Sequence, residues 1–202
     1  ELLFVKSDKS YHRLRTDMGD VLYENAEGIL FCMMEGGIYR IDTADRSVRV
    51  LAEGLGSESY SVSEDRHLLI WQSDETARGD ITVVNLENEH ENTIPADGHM
   101  LYPVGFLVDD FVYGVADADS RSVADGSVPM SYVRIYDADN NETVKEYYKK
   151  DYYITDVKIK DYVINLERVK RLNGAYIAAE PDTILNHQGE AILDDNVCQA
   201  YD

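Results

Sequence analysis

The groups in this chain that could carry chemistry are its carboxylates, five histidines, two cysteines and fifteen tyrosines. His12, His67, His90, His99 and His187 stand singly, with no His-x-His or His-x-x-x-His spacing, so zinc is not indicated. Cys32 and Cys198 lack metal-ligand spacing and are too few for a disulfide framework; Cys32 lies in an apolar run and reads as an inert buried thiol. A serine hydrolase needs a Gly-x-Ser-x-Gly elbow, whose glycines permit a tight strand-to-helix turn. None is present, and the nearest text, Gly54-Leu-Gly-Ser-Glu-Ser, reads as a loop between strands. No catalytic residue and no cofactor is therefore assigned.

Two acidic loops carry hard oxygen ligands of the kind calcium takes. Asp137-Ala-Asp-Asn-Asn-Glu lacks the glycine and the distal glutamate of an EF-hand loop and reads as a hairpin turn. Asp117, Asp119 and Asp125 are the weak calcium candidates, because a longer loop can converge its carboxylates; a plain loop is the simpler reading. Tyrosine is in excess, and Tyr147, Tyr148, Tyr152, Tyr153 and Tyr162 crowd one stretch. An amphipathic ring there either packs between sheets with its hydroxyl wet or forms a recognition surface. Asp117, Asp119, Arg121, Asp125, Tyr147, Tyr148, Tyr152 and Tyr153 are the binding candidates. Trp71, beside Leu68, Leu69 and Ile70, reads as core.

The elements that must position these residues are β-strands in a repeat. Ile38-Tyr-Arg-Ile-Asp-Thr-Ala-Asp-Arg-Ser-Val-Arg-Val, the run from Ile81 to Ile94 and the run from Tyr132 to Val144 each read as strand, Asp/Asn turn and strand. A fourth, less regular copy lies at 175–185. Two strand candidates precede each hairpin: Val21–Glu24 and Ile29–Met34, Tyr60–Ser63 and Leu68–Gln72, Tyr102–Leu107 and Phe111–Val115, Ile154–Ile159 and Val163–Leu166. Four short strands at a period of 40 to 50 residues are the pattern of a β-propeller blade. The longer third unit carries an insertion, 116–130. No apolar stripe of helical period persists beyond two turns.

The segment Ser61-Val-Ser-Glu-Asp-Arg-His-Leu-Leu-Ile-Trp-Gln-Ser with Gly79-Asp-Ile-Thr-Val-Val-Asn-Leu resembles a blade of the TolB-like or dipeptidyl-peptidase-IV N-terminal type. Arg66-His67 stands where Gly-Lys is usual. The resemblance spans 19–187 and implies fold, not activity. The expected architecture is all-β: about four four-stranded antiparallel blades at 19–54, 55–98, 99–150 and 151–190. Residues 1–18 are expected to be the tail of a preceding blade and 191–202 a C-terminal tail. Such propellers have six to eight blades, so the chain is expected to be part of a larger one, or to self-associate through its open edges.

Net charge is −20, from 19 Lys+Arg against 39 Asp+Glu, with no basic run longer than Lys149-Lys150. That field repels phosphate polyanions and anionic lipid, so nucleic acid and membrane surfaces are not expected partners. Protein, peptide or carbohydrate remain. The expectation is a non-catalytic interaction or ligand-binding module of a bacterial exported or surface protein, in an extracytoplasmic setting. Two alternatives stay open: the accessory propeller of a peptidase-like hydrolase whose catalytic domain lies outside these residues, or a sensor with a small ligand in a central channel.

Overall fold

The computed structural model describes the backbone of residues 2–5 and 11–14, and residues 20–56, 59–73, 76–160 and 162–185 in full. Among the described residues there is strand and turn but no helix. A hairpin, β1 (Leu2–Val5) and β2 (Tyr11–Leu14), precedes four antiparallel meanders. The first is β3 (Val21–Glu24), β4 (Ile29–Met34), β5 (Gly37–Asp42) and β6 (Ser47–Ala52). Next come β7 (Tyr60–Val62), β8 (Leu68–Gln72), β9 (Ile81–Asn85) and β10 (Glu91–Ile94). The third is β11 (His99–Leu107), β12 (Asp110–Asp117), β13 (Tyr132–Asp137) and β14 (Glu142–Tyr147).

The fourth, β15 (Tyr152–Lys160), β16 (Val163–Leu172) and β17 (Ala175–Leu185), shows three strands rather than the expected four among the described residues. Four consecutive blades make this the architecture of a partial β-propeller. His187, Cys198 and the expected tail 191–202 lie outside the described residues. Among the described residues no helix is long and apolar enough to cross a membrane.

Turn chemistry explains the repeat. Asp42 and Asn85 open equivalent turns, each side-chain oxygen accepting two backbone N–H bonds: from Ala44 and Asp45 at 3.0 Å, and from Glu87 and Asn88 at 2.9 and 3.2 Å. Four residues later the backbone turns left-handed, at Arg46 (φ 63°), Glu89 (φ 60°) and, in the third copy, Asn141 (φ 55°). The 137–142 segment is thus the same hairpin turn, closing the pair Asp137 and Glu142.

The chain divides into two compact units, residues 1–101 with 138–141, and 102–137 with 142–202. In the first, Phe31, Met33 and Ile38 pack with Leu69, Trp71 and Val84 into one buried cluster shared by two blades. Trp71 is core, and Cys32 is a buried thiol whose pKa burial, and then Glu24, push up. In the second, Phe111, Val112, Val133, Ile154, Ile164 and Leu166 are buried, with the Phe111 and Tyr113 rings stacked at 5.7 Å.

Candidate functional site

In an antiparallel meander, the link between second and third strands and the link onward to the next blade fall at the same end. In the second unit these are 118–131, 148–151 and the β16–β17 turn at 173–174. The expected insertion is shorter at its start, because β12 runs on through Ala116, which is fully buried, to Asp117. Its far end is pinned. Gly114 has no Cβ, and an added one would sit 2.0 Å from the Met130 sulfur, so a larger residue there would push the Met130 side chain off the strand. Met130 in turn exchanges two backbone hydrogen bonds with Ile154, at 2.8 and 2.9 Å, tying the insertion to β15.

Between these links opens a cleft of about 210 Å³. Four tyrosines line it, Tyr132, Tyr148, Tyr152 and Tyr153. Its other walls are Asp117, Ser131, Lys149 and Asp151. Tyr132 and Tyr148 stack with centroids 5.1 Å apart and planes 24° from parallel, and Tyr148 is 56% exposed. Tyr153 meets Tyr176 edge-on at 5.3 Å. Burial, then Tyr153, push the Tyr176 phenol above its usual range; Asp117 and Asp119 add to this and Arg171 opposes it. Three cations converge on the Tyr152 ring: Lys149 at 4.8 Å, Arg168 at 5.0 Å and Lys170 at 5.3 Å from its centroid.

Behind the cleft, Arg168 is buried and its guanidinium is consumed. It donates to Asp182 Oδ2 at 2.6 Å, to the Tyr147 hydroxyl at 2.7 Å, and to the carbonyls of Glu180 and Pro181 at 2.9 and 3.3 Å. Tyr147 passes its own proton toward Asp182 Oδ2 at 2.8 Å. Burial and then the Asp182 bond push the Tyr147 phenol up, so it stays a donor. The Tyr147 hydrogen bond, aided by Thr183 N–H, Arg168 and Lys149, holds the Asp182 carboxyl below its usual range. This network joins the end of β14 to β16 and β17.

Of the residues singled out in the sequence, Asp117, Tyr148, Tyr152 and Tyr153 line the cleft, and Tyr147 stands behind it. Asp119, Arg121 and Asp125 lie on the insertion without lining it. Asp125 caps its own turn, accepting from Ser127 Oγ at 2.6 Å and N–H at 2.9 Å; those bonds hold its carboxyl below the usual range. Among the described residues, Asp117, Asp119 and Asp125 do not gather their carboxylate oxygens into one group. Tyr162 sits at the β15–β16 turn, the opposite end of β15 from Tyr152. Ser131, Tyr132, Lys149 and Asp151 were not singled out. The signal for the last two is their place in the four-residue link between blades.

No family model matches the sequence, nor does any curated protein at a significant level. Among solved structures, the chain is similar to the Pyrococcus horikoshii acylaminoacyl peptidase (11% identity, 84% of this chain, 32% of that one, TM-score 0.42). It is also similar to Kuenenia stuttgartiensis hydrazine synthase (16% identity, 86% and 52%, TM-score 0.34). A third likeness is to a protein from Lactobacillus plantarum (9% identity, 91% and 64%, TM-score 0.32). The chain spans between 32% and 64% of the length of these three. The blades themselves carry the fold assignment, and these likenesses supply no activity, substrate or partner.

Proposed function

We propose that the chain is a non-catalytic β-propeller recognition module of a bacterial exported or surface protein, binding a protein, peptide or carbohydrate through the loop end of its third and fourth blades. The observation that carries this is the cleft, where an interblade link and the ends of β12, β13 and β15 bring together four tyrosines, two carboxylates and an ammonium group. Exposed aromatic rings beside fixed polar groups are what recognition uses: large contact area at low entropic cost, with hydrogen bonds setting orientation.

Screening the 202-residue chain against glycan and peptide libraries is expected to yield a ligand whose affinity falls at least about tenfold in Tyr148→Ala, a loss of about 1.4 kcal/mol. Replacing residues 118–128 with a short glycine-containing turn should weaken it too while leaving the thermal midpoint nearly unchanged, because no strand is lost. Unaltered affinity in both variants would move the recognition surface elsewhere.

The non-catalytic reading is supported by the missing nucleophile elbow and by a cleft whose lining includes no histidine or cysteine. Peptide and ester substrates are expected to show no turnover. Turnover abolished by a single substitution within the chain would overturn that part of the proposal.

A further inference from the structure

We propose that the cleft takes one neutral pyranose ring of a carbohydrate chain; this rests on the cleft being the recognition site. Size sets the first limit. At about 210 Å³ it falls below the ~300–1,000 Å³ of pockets that engulf a drug-sized ligand, so it suits one ring of a longer molecule better than a whole nucleotide or cofactor.

Charge sets the second limit. An anion entering the cleft meets Asp117 and Asp151 in a chain of net charge −20. An ammonium group finds the aromatic face it would seek on Tyr152 already attended by Lys149, Arg168 and Lys170. Lys149 also stands on the cleft wall itself and repels it directly. Both charged classes are disfavoured.

Hydrogen-bonding capacity decides among neutral ligands. The lining offers carboxylate acceptors, ammonium donors and hydroxyls that do both, and no aliphatic side chain. An apolar peptide side chain would desolvate those groups and offer them no hydrogen bond in return. Vicinal hydroxyls pair with acceptors and donors together. The exposed Tyr148 ring, held flat on Tyr132, then offers a surface for the C–H face of the same or the adjoining sugar.

The test is saturation-transfer NMR and calorimetry on the full chain with maltotriose, cellotriose, mannotriose and chitotriose as neutral probes. A glucuronate-containing trisaccharide and a lysine-rich peptide serve as charged ones. At least one neutral trisaccharide should bind, with saturation concentrated on one ring, and lose at least about tenfold in Tyr148→Ala and in Asp151→Asn. Asparagine is chosen because Asp151 has φ 66° and Asn tolerates that backbone. Binding of no neutral trisaccharide, or binding insensitive to both substitutions, overturns the proposal. Binding of only a charged probe, lost in Tyr148→Ala, overturns the sugar assignment while leaving the cleft as the recognition site.

Discussion

Replacing Arg168 with alanine is expected to cost about 3 kcal/mol of folding stability, and to lower the thermal midpoint of a chain this size by roughly 6–12 °C. The guanidinium is buried and spends its donors on two carbonyls, a phenol and a carboxylate. Removing it leaves all four acceptors one donor short, although Asp182, whose side chain is 36% exposed, keeps its bond from the Tyr147 hydroxyl. Arg168→Met fills part of the volume and should recover only part of the loss.

A pH series supplies a readout that lost packing alone would not move. Asp182 is held below its usual value when folded, so the unfolded chain takes up its proton first as pH falls. Its contribution is therefore full above the ordinary aspartate value of about 3.9 and fades as pH drops through the lower folded value. Asp182→Asn should flatten stability in that acid window. An Arg168→Ala midpoint within experimental error of the parent would show that the network carries no net stability.

How much of this was legible in the sequence depends on which residues face what. The strand Leu68–Gln72 reads directly because all five positions are buried, and Ile29–Met34 nearly so; unbroken apolar runs leave no ambiguity. Asp42, Asn85 and their left-handed successors announced the hairpins through turn chemistry. The full lengths of β15 and β16 did not announce themselves: β15 starts at Tyr152 and Tyr153, which read as an aromatic cluster, and β16 runs on past Leu166 through Glu167, Arg168, Lys170 and Arg171, whose charges look like loop. Arg168 is invisible for the same reason: by type it belongs at the surface, and only the bulged β16–β17 register brings Asp182 within its reach. Half of the cleft was legible, Tyr148, Tyr152 and Tyr153 as a tyrosine excess and Asp117 as part of an acidic loop. The other half, Ser131, Tyr132, Lys149 and Asp151, depends on which loops share an end of the blade, which is a property of connectivity.

Phe31→Ala is expected to be comparably damaging, at about 3–5 kcal/mol, for a reason that starts with strand period. In β4 successive side chains point to opposite faces, so Ile29, Phe31 and Met33 share one side while Leu30, Cys32 and Met34 share the other. Both sides are covered. The first joins the cluster with Leu69, Trp71 and Val84 of the neighbouring blade; the second packs with Ile41 and Tyr39. A sheet covered on two faces needs no polar alternation, which is why the run is apolar throughout. Phe31 is 1% exposed, with its ring edge-on to Tyr23 at 6.2 Å, so truncation opens a cavity between two sheets. Phe31→Leu keeps most of that volume and should cost less than about 1.5 kcal/mol. Val50→Ala on the exposed outer strand, where Val50 is 47% exposed, should stay within about 0.5 kcal/mol. Phe31 and Arg168 draw on separate sets of partners, so in chemical denaturation the double variant should lose the sum of the two single costs to within about 0.5 kcal/mol. A loss below 1 kcal/mol for Phe31→Ala would mean that the two sheets close over the missing ring, and that the packing between these blades is plastic instead of jigsaw-tight.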